Sequence, residues 1–496
     1  MFGQMSVKGN WSLVSPPCHI PDRWINEKGE LSCRKRKQAL PALFFVRNSC
    51  ASGYQTACTQ SRKDNGDILR NWSSVRNLAH KVSDFSENVM KEFHVGPDKG
   101  HIERSCRDID VITFGNLCVD IVLNVPTLPP KSYKEKLAYM NDLARSSPEK
   151  KFWEAGGNSN FAIAAARLGM RCAALGHIGD EKYGKFLHEV LEKEGVQVVG
   201  LDEKNIKDET LVCWVLIDSE HRHGFCSRFD FNKDPAFKWM NELPKSAKDV
   251  IQRSKVVFFN GFVFDEITPD MIISAVEFAN KTGCVVFFDP GPRAKSLFNG
   301  SACQKHALQK LLMYSDVLLL TAEEAKALTA LEDPILSAQS LLAESQRTKW
   351  VIVKMGDKGC LMATIHGVYQ FPAFKVDVKD TVGCGDSFAA AIALGYTQKL
   401  PVTSMLALAN AVGAATAMGC GAGRNVATVN DVANILLSSN VCSDPDLVEI
   451  QKLSPVHLKE IGREEAAISD LNMLVHSITR ETASLLMDLA PNSGHT

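Results

Sequence analysis

The 496-residue chain lacks the marks of several large functional classes. Its 15 cysteines include no Cys-x-x-Cys pair and no clustered Cys/His spacing, which argues against a zinc module. Unpatterned cysteines in a chain this long read as reduced thiols in an intracellular compartment. Charge has no dominant sign: 56 Lys+Arg stand against 57 Asp+Glu. The net of −1 gives no global pull toward nucleic acid. No uninterrupted apolar run reaches the roughly 18 residues of a membrane-spanning helix. The closest stretch, Leu400–Gly423, is uncharged but rich in Gly, Ala and Thr, and reads as a buried helix.

Acidic residues are scarce before Asp64, whereas Ser, Asn and Arg are frequent and Arg34-Lys35-Arg36-Lys37 forms a basic cluster. Hydrophobic periodicity is absent there, apart from a partly helical segment between Val75 and Arg107. A basic, Ser-bearing, acid-poor start is the composition of an organelle transit peptide. Plastid is expected ahead of mitochondrion or cytosol. A disordered cytosolic tail, or a nuclear address read from the basic cluster, stays open. The expected organisation is a transit peptide and disordered extension over 1–105, a catalytic domain over 106–435, and a helical extension over 436–496.

With 45% hydrophobic residues, the chain can build a large core. From Asp110 onward, short apolar strands alternate with helix-length segments. Val111–Gly115, Val119–Val125, Cys172–Gly176, Val256–Phe259, Val285–Phe288, Val317–Leu320 and Trp350–Val353 read as strands. Apolar strands so spaced imply an α/β fold with a parallel sheet covered on both faces. Ligands of such sheets bind at the carboxyl ends of the strands. Two segments break the rhythm: Thr210–Ile217 and Gly224–Asp230 read as a β-hairpin. Lys131–Lys151 is a charged insertion. In the C-terminal tail, Leu447, Ile450, Leu453, Leu458 and Ile461 form a helical apolar stripe suited to a packing helix or partner surface.

The chemistry-bearing stretch is Asp380-Thr381-Val382-Gly383-Cys384-Gly385-Asp386, followed by the Ala-rich run Ala389–Leu394. Ala favours a helix start, and a Gly-rich turn before it exposes backbone N–H groups and the positive end of the helix dipole. Such a turn binds phosphate or a developing oxyanion. Asp386 at its mouth is suited to taking a proton from a hydroxyl, which points to phosphoryl transfer to an alcohol. An ordinary turn before a core helix is the alternative.

This stretch resembles the Asp-Thr-x-Gly-Ala-Gly-Asp motif of the ribokinase/phosphofructokinase-B (pfkB) carbohydrate kinases, with Cys384 in place of Ala. Upstream, Gly156-Gly157-Asn158-Ser159-Asn160 followed by Phe161–Gly169 resembles the family's first motif, one residue shorter than usual. Asn158 and Asn160 therefore compete for one role. The resemblance, which covers about Asp110–Val432, implies a ribokinase-like αβα three-layer sandwich with a mostly parallel central sheet and a small β lid. The lid would come from about 120–135 and 208–232, and a homodimer through it is an expectation.

The resemblance implies Asp386 as catalytic base and Gly383, Cys384, Gly385 and Asp386 as an anion hole. Asp120, Gly156, Gly157 and Asn160 would bind the sugar acceptor. Lys354, Gly356 and Gly359 would line the ATP loop, and Asn410 the adenine edge. Thr321-Ala322-Glu323-Glu324 resembles the family's Asn-x-x-Glu motif with Thr321 for Asn; Glu324 would act on Mg2+ indirectly, and the pair is also a capping box. Asp380, Val382, Thr416, Gly419 and Gly421 match positions that hold K+ in the family. Asp289-Pro290-Gly291-Pro292-Arg293 resembles a further family turn and reads as mainly structural. Cys384 reads either as a small residue tolerated in a turn or as a thiol of lowered pKa whose oxidation blocks the site. The expected activity is ATP-dependent phosphorylation of a hydroxymethyl group. The competing reading is a catalytically weak scaffold or regulatory subunit of an organelle complex, supported by the long tails and the departures at Thr321 and Cys384. Fructose, ribose, another ketose or a nucleoside would each fit the motifs.

Overall fold

The computed structural model describes residues 107–438, 441 and 464–489, apart from 146–147, 202–207, 221, 233, 241 and 420–421; over 464–474 it describes the backbone alone. The segment expected to be a transit peptide and the stripe from Leu447 to Ile461 lie outside the described residues.

The core is a nine-stranded sheet in the order β13-β12-β11-β10-β9-β8-β1-β4-β5. Its strands are β1 (Ile109–Phe114), β4 (Cys172–Gly176), β5 (Gln197–Gly200), β8 (Ser254–Asn260), β9 (Val285–Asp289), β10 (Val317–Thr321), β11 (Trp350–Lys354), β12 (Cys360–Thr364) and β13 (Gly367–Phe371). Neighbours from β5 to β11 pair in parallel, and only β12 runs against its two neighbours. In β8, Val256 and Phe258 enter one hydrophobic cluster, whereas Val257 and Phe259 enter the other. Both faces are covered, which is why the strand carries no polar alternation. One face packs on the helices Asn158–Arg167, Cys384–Gln398 and Val402–Ala417 through Phe161, Ala389–Leu394 and Met405–Val412. The other packs on Pro269–Thr282, Ala302–Tyr314 and Pro334–Glu344 through Met271, Leu308 and Ala338. The result is the three-layer αβα sandwich expected from the sequence.

A second sheet of four strands, β3-β2-β6-β7, forms the lid. It joins β2 (Leu117–Asn124), β3 (Trp153–Gly157), β6 (Leu211–Ile217) and β7 (His223–Ser227). The hairpin is β6–β7, although 228–230 closes as a 3-10 turn rather than extending the strand. The strand β3 was not legible: the glycine pair ends an edge strand that pairs with β2 before the chain turns into a helix.

The insertion at Lys131–Lys151 contains the helix Tyr133–Ala144. Its Met140 packs with Val125, Leu216 and Cys226. Lys136 pairs with Asp230 at 3.0 Å, and the Tyr139 hydroxyl donates to the Thr127 carbonyl at 2.7 Å. One face of the lid sheet is therefore covered by the chain's own helix. At the other end, the helix Glu464–Leu489 lies against the helices Val402–Ala417 and Val429–Ser438, burying Val475, Ala483 and Leu486. No helix among the described residues is long and apolar enough to cross a membrane.

Candidate active site

The glycine turn sits at the N-terminus of the helix Cys384–Gln398. Gly383 is its N-cap with φ +79°, a left-handed conformation open to glycine, and a Cβ there would meet the Ala422 Cβ at 2.9 Å. The Cys384 N–H donates to the Thr381 carbonyl at 3.3 Å and the Ser387 N–H to the Gly383 carbonyl at 2.9 Å. Among the described residues, no protein acceptor takes the N–H of Gly385 or Asp386. Of the four amides expected to bind an anion, that of Cys384 is spent on closing the turn.

Asp386 is the meeting point of the two motifs. Its Oδ2 accepts the Asn160 Nδ2 at 3.3 Å, and Asn160 Oδ1 in turn accepts the Gly423 N–H at 2.8 Å. Asn158 plays a different part, because its Nδ2 donates to the carbonyls of Gly115 at 2.6 Å and Phe114 at 3.2 Å. The shortened motif is resolved: Asn160 faces the site, and Asn158 fastens the helix start to the end of β1. Burial, then the nearby charge of Asp289, pushes the Asp386 carboxyl up to about 7, against the opposing pull of Lys354.

Asp120 stands in the middle of β2, buried beneath the lid. Its carboxyl is pushed up to about 7 by burial, and then by the charges of Asp386 and Glu154. Gly156 leaves room for it: a Cβ there would lie 2.2 Å from Asp120 Oδ1. Gly157, at φ +58°, passes so close to Asn116 that a Cβ would meet its carbonyl at 2.3 Å.

On the other side, Lys354 at the end of β11 forms a buried ion pair with Asp289 at the end of β9. Asp289 therefore belongs to the site, whereas Arg293 of the same turn pairs with Asp265 at 2.7 Å and lies over the Phe229 ring. Glu324 closes the expected capping box: its Oε2 accepts the Thr321 N–H at 2.7 Å, and its own N–H donates to Thr321 Oγ1 at 3.2 Å. Burial, then Asp289, pushes Glu324 up to about 7. Gly356 is open to space at φ +62°, whereas a Cβ at Gly359 would strike the Phe371 carbonyl at 2.1 Å. Asn410 donates its Nδ2 to the carbonyls of Phe371 and Pro372, at 3.0 and 2.9 Å, and so anchors the end of β13.

The potassium positions are already engaged. Asp380 Oδ1 accepts the Val382 N–H at 2.9 Å and lies 3.0 Å from Nε2 of His223 on the lid. The Thr416 carbonyl accepts the Gly419 N–H at 3.0 Å, and Gly421 lies outside the described residues. Cys384 departs from the reactive-thiol expectation: burial, then the carboxylates Asp380 and Asp386, pushes it up to about 12. Its neighbours are anionic, so the helix dipole does not prevail.

Sequence reading missed Asn260, Asp289 and His223. Asn260 and Asp289 are register partners at the ends of β8 and β9, and Asn260 Oδ1 accepts the Asn116 Nδ2 at 3.5 Å. A polar residue closing an apolar strand was the available signal. His223 gave none, because only the lid's fold brings it to Asp380.

Residues 112–428, more than half of the chain, match the model of the pfkB family carbohydrate kinases. "Probable fructokinase-4" of Arabidopsis thaliana is 26% identical over 334 residues, covering 66% of this chain and 96% of that protein. A 5-dehydro-2-deoxygluconokinase of Bacillus thuringiensis is 26% identical over 357 residues, covering 68% of this chain and 92% of its own. The structure of Arabidopsis thaliana ribokinase complexed with ribose and ATP shares the fold, with a TM-score of 0.51, 20% identity, and coverage of 66% of this chain and 97% of that one. The chain belongs to the pfkB family of carbohydrate kinases.

Proposed function

We propose that the chain transfers the γ-phosphoryl of ATP to a hydroxymethyl group of a sugar or sugar-like acceptor. The observation that carries this reading is the position of Asp386, joined to Asn160 on the acceptor side and within the field of Lys354 and Asp289 on the other. The acceptor oxygen attacks phosphorus, the bond from phosphorus to the bridging oxygen of ADP breaks, and the hydroxyl proton passes to Asp386. A carboxyl raised to about 7 is matched to that proton transfer, since a base works best with a pKa near the working pH. The N–H groups of Gly385 and Asp386, at the positive end of a helix, face the charge on the moving phosphoryl. Asp120 holds acceptor hydroxyls beneath the lid, and lid closure excludes water as a competing acceptor.

Magnesium fits the donor set: Asp289 and Glu324 are hard oxygen donors, near enough that the charge of Asp289 raises the proton affinity of Glu324. Both would hold it, Glu324 indirectly, and the ion would neutralise phosphate charge.

The test is ATP consumption over a panel of ketoses, aldoses, polyols and nucleosides, for wild type and Asp386→Asn. A sugar-dependent rate that falls by about 10²–10⁴-fold in the variant is expected. No acceptor-dependent consumption by wild type overturns the reading.

A further inference from the structure

In the acid–base chemistry the ammonium of the buried Lys354–Asp289 ion pair touches neither acceptor nor phosphate. Lys354 Nζ is buried, with 14% of the side chain exposed, and Asp289 is more buried still at 8%. A buried ion pair adds little net stability, because desolvating both charges offsets their attraction. Stability alone does not account for an ammonium here.

Its position does. A Cβ on Gly385 would lie 3.4 Å from Lys354 Nζ, so the ammonium stands beside a glycine whose N–H takes no acceptor among the described residues. The space that Gly385 keeps open is bounded by the helix N-terminus on one side and a cation on the other. Three carboxyls, of Asp289, Glu324 and Asp386, act on this single ammonium. Among the described residues, only Asp289 bonds to it. A phosphate arriving at the free N–H groups of Gly385 and Asp386 brings oxygens that compete with Asp289 for the same ammonium. A lysine suits this exchange, being a compact point charge with three donors on a flexible stem.

We propose that Lys354 is a catalytic residue whose ammonium leaves Asp289 for the transferring phosphoryl group, with Asp289 as the positioning residue that holds it beforehand. The inference rests on the kinase reading above and extends it from nucleotide binding to the transfer step. Lys354 keeps its proton throughout: the bond formed is from acceptor oxygen to phosphorus, the bond broken is from phosphorus to the ADP oxygen, and the hydroxyl proton goes to Asp386.

The test is calorimetric binding of magnesium AMP-PNP and magnesium ADP to the full chain, with turnover measured alongside. Lys354→Met is expected to weaken AMP-PNP by about tenfold or more and ADP by less than about threefold, because only the former carries the group the ammonium meets. The rate constant kcat should fall by about 10²–10³-fold with little change in acceptor KM. Lys354→Arg should recover part of both. Asp289→Asn also removes a magnesium donor, so it is compared with wild type on metal-free AMP-PNP, where the released ammonium should bind at least as tightly, the opposite of what losing a structural ion pair would give. Equal losses for the two nucleotides in Lys354→Met, or none, overturn the proposal. A wild type that binds AMP-PNP but phosphorylates no acceptor defeats the kinase reading, while the two affinities still decide the Lys354 contact. A wild type that binds neither nucleotide overturns both.

Discussion

Replacing Gly156 by Ala isolates the acceptor side of the site. Gly156 lies in β3, and its backbone is outside the left-handed region, so alanine suffers no conformational penalty of that kind. The three atoms nearest the added carbon all belong to Asp120: it would stand 2.2 Å from Oδ1, 2.3 Å from Cγ and 2.6 Å from Oδ2. Ordinary contact begins at 3.4 Å, so the carboxyl must yield by about 1.2 Å (3.4 − 2.2). A displacement of about 1 Å in a positioning group can cost roughly 10²-fold in rate, equivalent to about 2.7 kcal/mol. Overpacking of this kind costs about 1–3 kcal/mol of stability, which leaves a foldable variant. The assay is ADP production against acceptor concentration at saturating ATP, with thermal unfolding as the control for folding. The acceptor kcat/KM should fall by about 10²-fold while the KM for ATP holds. A folded variant with acceptor kinetics within about twofold of wild type would show that Asp120 does not contact the acceptor.

The pH profile follows from Asp386. It must be ionised to take a proton and is pushed up to about 7, so kcat/KM should rise with pH and level off above about 7; a rate that falls over that range refutes it as base. The same shift has a stability sign. Asp120 and Asp386 rise from 3.8 to about 7 on folding, so their contribution is full below 3.8 and is lost as pH rises through about 7, which a thermal melt from pH 5 to 8 without ligand would register. Asn160→Asp sets a second carboxyl in place of a donor 3.3 Å from Asp386 and should move the acid limb to higher pH, whereas Asn160→Ala should lower the rate at all pH values; identical profiles refute the electrostatic account. Iodoacetamide at pH 7 should leave Cys384 unmodified in the folded protein, because its thiol is pushed up to about 12; its carboxymethylation, read by mass spectrometry, refutes this.

The fold was legible in most strands where burial on both faces wrote an unbroken apolar run, although β12, buried on both faces as well, was missed. Phe258-Phe259 and Phe287-Phe288 needed no alternation to be read as strands, because each neighbour enters a different core. β5 and β13 were missed at the two sheet edges, where burial is incomplete and the signal is weaker. β3 was missed because glycines, which carry no strand propensity, occupy two of its five positions. Within the site, Asp386 and Asp120 were readable from their motifs. The choice between Asn158 and Asn160 was not, because spacing alone cannot say which amide faces a helix start and which faces a carboxylate from more than two hundred residues away. Asp289 was assigned to a structural turn because its partner, Lys354, lies on a strand two places across the sheet.

The site carries an electrical contradiction that its geometry resolves. It must receive a polyanion, yet it gathers carboxyls at Asp120, Asp289, Glu324 and Asp386. Three of the four are pushed up to about 7, so near neutral pH each carries only part of its full negative charge. Asp289 has a double effect. Its charge raises the basicity of Asp386 and, by pairing, holds the ammonium of Lys354 beside Gly385. An arriving phosphate meets that ammonium together with the free N–H groups of the helix N-terminus, while the base stays turned toward Asn160. Moving Asp289 to another strand end would weaken the base and misplace the cation at once, which ties the proton acceptor and the anion site to one residue.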